Sequence, residues 1–157
     1  MKAIQAPGLL ATLLCFGLAS IAVAQEKKSA PPAPCFGITA DLETYPQGSA
    51  KQALQSVAKA LDRKRIEYIL AHLSDPAFVN EQVEAFGGKF DALVQETTKH
   101  FADNPKQTQE FRKFLTQGEV AESATNATVT LKDVPNRQVT LRQIEGRWFI
   151  NNEIEKK

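Results

Sequence analysis

The sequence predicts an α+β fold, in which helices come first and an antiparallel sheet closes the chain. Apolar residues recur at spacings of three and four up to Gly118, and after it they alternate with polar residues. No helical pattern returns between the later strands, so a doubly wound parallel sheet is not expected. The chain has 157 residues, of which 43% are hydrophobic and 24% are charged, and this suits one globular domain with its own core.

The first 24 residues have the order of a secretory signal peptide. Lys2 supplies a positive charge, residues 9–21 are almost wholly apolar, and Ala22-Val23-Ala24 places small residues where a signal peptidase cleaves. We therefore expect cleavage after Ala24 and a secreted or periplasmic protein that is not attached to a membrane afterwards. An uncleaved anchor helix is the alternative, although the apolar run is short for a membrane span.

The composition of residues 25–47 predicts a flexible linker, because prolines and glycines interrupt this stretch and no period survives in it. The stretch contains Cys35, which is the only cysteine left once the signal is removed and so has no internal disulfide partner. Cys35 is then either an inert thiol or a link between two chains. The folded domain is predicted to span residues 48–157.

Two helices are predicted at the start of this domain. Ser49 and Gln52 form a capping box, and an apolar stripe follows over residues 50–61. A second stripe over residues 66–73 predicts another helix, or the continuation of a bent one. Pro76 disfavours helix at the residue before it, so the second segment is expected to stop there.

Further elements are predicted between these helices and the sheet. The apolar residues 77–79 predict a short edge strand, and Asn80 predicts a helical turn that closes at a pair of glycines. Apolar residues at helical spacing predict a helix over residues 90–101. Another helix is expected from Asn104-Pro105 to Gly118, since the proline fits a first turn and the glycine fits a helix end.

The last third of the chain predicts an antiparallel meander. Apolar and polar residues alternate over residues 127–132 and again over 139–142. Glu145-Gly146 marks a tight hairpin, and the apolar residues 148–150 follow it in the last strand. Short turns between the strands are expected to place neighbours in sequence side by side in the sheet.

The net charge of the chain and the absence of several known sequence motifs argue against a number of functional classes. The chain has 19 basic and 18 acidic residues and a net charge of +1, so a nucleic-acid partner is not expected. His72 and His100 are far apart in sequence and have no companion cysteine, so no metal site is predicted. The sequence contains no nucleophile elbow, phosphate loop or dinucleotide-binding glycine pattern, and no cofactor is expected.

Two segments resemble the nuclear-transport-factor-two-like superfamily, also called cystatin-like or SnoaL-like cone folds. The first is the helical opening Ala53–Asp62 with Ile66–Leu70 behind it, and the second is the closing hairpin Val139–Ile150, which contains a Gly-x-Trp pattern. The resemblance covers about residues 49–154. It implies a curved, cone-like sheet wrapped around a long helix, with a pocket that opens at one end.

The resemblance also points to a candidate catalytic set. Catalytic members of that superfamily generally use an Asp–His or Tyr–Asp set inside the cone, and the matching candidates here are Tyr68, His72 and Asp75. Tyr68 and His72 share a helix face, and Asp75 follows one turn later. Such a set would supply general acid–base catalysis for an isomerisation or a dehydration. Ordinary helix-end and turn roles for His72 and Asp75 are the alternative.

The outer face of the sheet is a candidate dimer interface. If Trp148 and Ile150 face the core, strand alternation turns Phe149 outward, and Ile144 is expected on the outer face as well. Two apolar side chains there suggest a homodimer in which two sheets pair, a common arrangement in the superfamily. Coverage of both residues by a C-terminal segment is the alternative.

These observations favour an exported, non-catalytic binding or interaction module, whose partner is a protein or a small apolar ligand. A small acid–base enzyme with a pocket under the sheet is the alternative. A third possibility is an accessory domain that only oligomerises. A lined cavity with convergent polar groups would favour an enzyme or a carrier, whereas a filled interior would favour protein–protein contacts.

Overall fold

The computed structural model describes residues 35–151 of the chain. Within them the α+β prediction is confirmed, because helices come first and pack on a single four-stranded antiparallel sheet. The predicted signal peptide, residues 25–34 of the predicted linker, and residues 152–157 lie outside the described part. Among the helices described, none is both long enough and apolar enough to cross a membrane.

Helix α1 spans Ala50–Asp62 and confirms the first helical prediction. It begins at Ser49, whose hydroxyl accepts a hydrogen bond from the backbone N–H of Gln52 at 3.2 Å. The apolar stripe of the helix faces the interior, and burying a leucine or valine side chain of this kind stabilises the fold by roughly 2 kcal/mol. The residues of this stripe with less than a tenth of their surface exposed are Ala50, Ala53, Leu54, Val57, Ala60 and Leu61.

Helix α2 spans Ile66–Tyr68 and continues directly as a π-helix over Ile69–Leu73. The wider turn is closed by a hydrogen bond of 2.8 Å from the N–H of Ser74 to the carbonyl of Ile69, five residues earlier. The second predicted helix is therefore confirmed, but its widened turn was not predicted. All five residues of the π-helix are buried, so it makes contacts on every side.

Helix α3 spans Pro76–Ala85, where the sequence analysis predicted an edge strand over residues 77–79. That prediction is wrong because Asp75 caps a helix: its carboxylate accepts a hydrogen bond from the N–H of Ala77 at 2.9 Å. Pro76 occupies the first turn, where its missing N–H costs no helical hydrogen bond. The Asp-Pro pair therefore starts one helix as it ends another. Asn80, predicted to begin a turn, lies inside α3.

Helix α4 spans Phe90–Asp103 and helix α5 spans Pro105–Gln117, as the apolar spacing predicted. Gly118 follows α5 at a point where no larger residue fits. A Cβ atom there would lie 2.2 Å from the side chain of Val129 and 2.6 Å from the carbonyl oxygen of Phe114. Close approach of helix and sheet, and not an unusual backbone angle, therefore requires glycine at this position.

The sheet consists of β1 (Glu119–Glu122), β2 (Asn126–Thr130), β3 (Gln138–Ile144) and β4 (Arg147–Asn151). Each strand pairs antiparallel with the next, in the order β1-β2-β3-β4, and this confirms the predicted meander. Glu145-Gly146 forms the predicted hairpin with φ values of 50° and 78°. Positive φ at both central residues is typical of the tight turns that match strand twist.

Phe149 lies on the opposite face of β4 from Trp148 and Ile150, as strand alternation predicts. Its side chain is nevertheless only 2% exposed, and the guanidinium of Arg147 lies 5.0 Å from the centre of its ring. Ile144 is partly buried. The expectation of an exposed outer-face residue is therefore wrong for Phe149, because its ring is covered within the chain itself.

Residues 35–47 pack against the domain, although the sequence analysis assigned them to a flexible linker. Tyr45 and Gln47 are each 2% exposed. The N–H of Trp148 donates to the carbonyl of Gln47 at 3.0 Å, and the Gln47 side-chain amide donates to the carbonyls of Trp148 at 2.8 Å and His72 at 2.9 Å. These long-range bonds hold the segment in place despite its prolines and glycines. We call residues 38–47 the strap.

Candidate functional site

Tyr68 and His72 lie together, as their spacing predicted, but the strap covers both. Their ring centres are 5.0 Å apart, and the side chains are 1% and 3% exposed. The backbone N–H of Asp41 donates to the Tyr68 hydroxyl at 2.9 Å. The Nε2 atom of His72 lies 2.8 Å from the carbonyl oxygen of Ile38. Backbone groups of the strap are thus hydrogen-bonded to the two polar atoms that a substrate would need.

A third aromatic ring completes this covered cluster. The ring of Tyr45, from the strap, lies 4.4 Å from that of Tyr68. The ammonium of Lys59 lies 5.8 Å from the centre of the Tyr45 ring, and the guanidinium of Arg65 lies 5.7 Å from that of Tyr68. Cations at such distances over aromatic faces are weakly attractive. The rings of this cluster are therefore packed like side chains in a protein core, and the two cations lie at its border.

The protonation of the cluster follows from its burial. Burial lowers the pKa of His72 below its ordinary value of 6.5, and the positive charge of Arg147 lowers it further, while the hydrogen bond to Ile38 opposes both effects. Burial also raises the pKa of Tyr68. Both side chains are therefore neutral near pH 7. A neutral imidazole bonded to a backbone carbonyl and closed off from solvent is poorly placed for acid–base catalysis.

Asp75 has separate partners. One carboxylate oxygen accepts from the N–H of Ala77, and the other lies 2.7 Å from Nη2 of Arg142. The Asp75 side chain is 4% exposed. The structure thus brings two of the three predicted catalytic residues together and uses the third to cap a helix and bind a β3 arginine. The alternative turn role is confirmed for Asp75.

A cavity of about 550 Å³ opens on the other side of the π-helix. Ile69, Leu70 and Ser74 form one wall of it. The cavity is otherwise mainly apolar, is bordered by α3, α4, α5 and the end of β4, and is partly open to solvent. Its remaining apolar lining residues are Phe78, Phe86, Leu93, Phe101, Phe111 and Ile150.

Helical periodicity explains which residues of α3 and α4 line the cavity. Phe78 and Gln82 in α3 and Phe86 at its C-cap recur at every fourth residue and so share one face. In α4, Leu93, Thr97 and Phe101 repeat the same spacing. In a sequence, such stripes predict residues of the core. They do not show that two stripes of this kind, together with the π-helix, border a space that their own side chains do not fill.

Polar groups are few in this cavity. Ser74, Gln82 and Thr97 contribute neutral hydrogen-bonding groups, while Glu96 and His100 lie at exposed positions where the cavity meets solvent. The ring of His100 packs edge-on against Phe101, with ring centres 6.4 Å apart. The arrangement offers several uncharged hydrogen-bonding groups around a large apolar surface.

No group of three His, Cys, Asp or Glu side chains within residues 35–151 is placed to hold a metal ion. Cys35 has no disulfide partner there, and burial raises the pKa of its thiol. No family model matches the chain, and no match is found among curated proteins or solved structures.

Proposed function

We propose that this protein is a non-catalytic binding module, which takes a small and mainly apolar molecule into the cavity between its helices. The observation that carries the proposal is the cavity of about 550 Å³, lined by four phenylalanines and four aliphatic residues. Pockets for small molecules usually have roughly 300–1,000 Å³, mostly apolar walls and a few polar groups. The cavity meets each of these conditions.

The lining favours an uncharged ligand. Ser74, Gln82 and Thr97 can donate or accept hydrogen bonds without charge. Glu96 and His100 lie at the solvent side, and none of the described residues that line the cavity is a lysine or an arginine. A carboxylate or phosphate would enter this space without a full counter-charge, which is costly in an apolar surrounding. A neutral molecule with a hydroxyl or carbonyl group fits better.

The covered cluster supports binding over catalysis. The strap occupies the Tyr68 hydroxyl and the His72 Nε2 atom, and Asp75 is engaged by Ala77 and Arg142. An acid–base enzyme would need these groups to converge on a space that a substrate can enter. The cavity is lined by neither Tyr68 nor His72.

We also propose a family and a location for this protein. Membership of the nuclear-transport-factor-two-like superfamily, with its cone-like sheet, is supported by helices that precede an antiparallel meander and by the closing hairpin around Glu145-Gly146. Helix α3, in place of the strand that is usual there, is a departure. Export to the periplasm or the medium is supported by the order of residues 1–24.

A fluorescence titration tests the binding site. The neutral probe N-phenyl-1-naphthylamine, which brightens in apolar surroundings, is titrated with the full chain and excited where tryptophan does not absorb. Thr97→Trp places a large ring in the cavity, because Thr97 lines it. We expect this change to weaken probe binding by about tenfold or more, since an indole would occupy much of the space. Thr98→Trp is the matched control, because Thr98 is the next residue and is exposed.

Two results would contradict the proposal. One is the absence of any saturable fluorescence change with the unaltered protein. The other is equal binding by the Thr97 and Thr98 variants, which would place the probe elsewhere. A third variant, His72→Gln, tests whether the covered cluster takes part in probe binding. We expect it to leave the probe affinity within about twofold of the original, because His72 does not line the cavity.

A further inference from the structure

The two edges of the sheet differ in what they contact. At β4, the N–H of Trp148 bonds to Gln47, and the carbonyl of Ile150 accepts from the N–H of Asp75 at 2.8 Å. These contacts close that edge. Within residues 35–151, the backbone of β1 is hydrogen-bonded to no segment but β2. An uncovered strand edge is a template on which another strand can pair.

The register shows which backbone groups are free at β1. The N–H of Ser123 bonds to the carbonyl of Asn126 at 2.8 Å, so this pair is of the hydrogen-bonded type. Such pairs alternate along an antiparallel ladder, and Ala121 is therefore the next bonded position. Val120 and Glu122 lie between these positions. Their N–H and C=O groups point away from β2, toward the open edge.

A groove of about 690 Å³ runs beside this edge, between α1, the end of α5 and β1. Its apolar floor is formed by Leu54, Ala58, Leu115 and Val120. Val120 is 38% exposed, although its partner Val129 in β2 is fully buried. The core is thus open on this side and has room for the side chain of an added strand.

The groove is bordered by more positive than negative charge. Among the described residues, Lys51, Lys59 and Arg63 line it, although the ammonium of Lys59 also donates to the carbonyl of Thr44 at 3.1 Å. The one acidic residue of this described lining, Asp62, forms an ion pair with Arg112. The two acidic residues of β1 also have partners. Glu119 lies 2.9 Å from Lys132, and Glu122 accepts from the N–H of Ala50 at 3.1 Å. Glu122 keeps its negative charge, because a backbone N–H does not neutralise a carboxylate. Lys51, Lys59 and Arg63 nevertheless outnumber the acidic residues, so the net charge of the described groove lining is positive.

We propose that β1 and this groove bind an acidic peptide in an extended conformation, which adds to the sheet as a fifth strand. Its backbone would pair with Val120 and Glu122, its apolar side chains would enter the groove, and its carboxylates would lie near Lys51 and Arg63. Strand addition of this kind combines main-chain affinity with side-chain selection. The site is separate from the helical cavity, so it adds a partner of a different class to the proposed function.

Fluorescence anisotropy with a dye-labelled peptide, Glu-Val-Glu-Val-Glu with blocked ends, tests the proposal on the full chain. We expect saturable binding of the peptide as the protein concentration is raised to about 1 mM. The double variant Lys51→Glu with Arg63→Glu should weaken it by about tenfold or more. Lys99→Glu with Lys106→Glu makes the same change of net charge at exposed positions outside the groove, and it should alter the affinity by no more than about twofold.

A second variant tests the backbone contact. Val120→Pro removes an N–H that faces the open edge and leaves the ladder to β2 intact, so we expect it to fold and to weaken peptide binding by about tenfold. A peptide with lysine in place of each glutamate should bind about tenfold more weakly than the acidic one. Equal affinity for both peptides, equal binding by the two charge-reversed proteins, or no saturable binding at all would overturn the proposal.

Discussion

The two sides of the segment Ile66–Ser74 differ in their access to solvent. On one side, Tyr68 and His72 lie under the strap and bond to its backbone. On the other side, Ile69 and Leu70 border a cavity of about 550 Å³. Tyr68 and His72 are therefore covered, while Ile69, Leu70 and Ser74 border the cavity.

The π-helix explains how one short segment serves both sides. Its wider turn is closed by the bond from Ser74 to Ile69, and all of its residues are buried. Such turns are rare, and they are frequently found at functional sites. Here the turn joins the covered cluster to the cavity wall. Substitutions on its two sides should therefore have different consequences.

The largest difference is expected between two leucines of this turn. Leu73 is 1% exposed and does not line the cavity, whereas Leu70 lines it. We expect Leu73→Ala to lower the free energy of unfolding by about 4 kcal/mol and Leu70→Ala by about 2 kcal/mol, because Leu70 has packing partners on fewer sides. Urea unfolding measures both values. Equal losses would mean that the cavity side is packed as tightly as the core.

The strap should contribute strongly through one side chain. Gln47→Ala removes the donor to the buried carbonyls of His72 and Trp148, and we expect a loss of about 3 kcal/mol in the free energy of unfolding. Gln109→Ala is the control, since Gln109 is exposed on α5 and the change should cost less than about 0.5 kcal/mol. If Gln47→Ala and Gln109→Ala lower the free energy of unfolding by similar amounts, the side chain of Gln47 does not hold the strap over the cluster.

A smaller effect is expected from the protonation of His72. Its pKa is lowered in the fold, chiefly by burial, so the unfolded chain takes up a proton at its ordinary value of 6.5 and the folded chain only at a lower pH. The free energy of unfolding should therefore fall as the pH drops below about 6.5, and it should level off below the folded pKa.

His72→Gln keeps a possible donor to Ile38 and removes this titration. Unfolding measured from about pH 7.5 to about pH 5.5 should then depend less on pH than in the unaltered protein. His100→Gln serves as the control, because it removes the other imidazole of the chain at an exposed position. If the His72 and His100 variants behave alike, the covered imidazole is not the group that titrates.

Much of the fold follows from local patterns in the sequence. The Ser49 cap of α1, the stripes of α4 and α5 and the Glu145-Gly146 hairpin are local signals, and each is found where it was predicted. Helix α3 was missed although its signal is local, because Asp75-Pro76 can both end one helix and start another.

The site depends on contacts between distant residues. Gln47 and Trp148 lie 101 positions apart, and no local pattern predicts the bond between them. The spacing of Tyr68 and His72 predicted their shared face, but their closure depends on the strap. The cavity likewise arises from how helices meet, and the spacing of Phe78 and Phe86 alone does not distinguish a cavity wall from a filled core.

The most direct test locates the bound probe by isotope-filtered NOE spectroscopy of the labelled full chain with N-phenyl-1-naphthylamine. We predict contacts from the probe to the methyl groups of Leu70, Leu93 and Ile150, which line the helical cavity. Contacts to the methyl groups of Ile38, next to the covered cluster, or to those of Leu54 and Val120 in the other groove would contradict this placement.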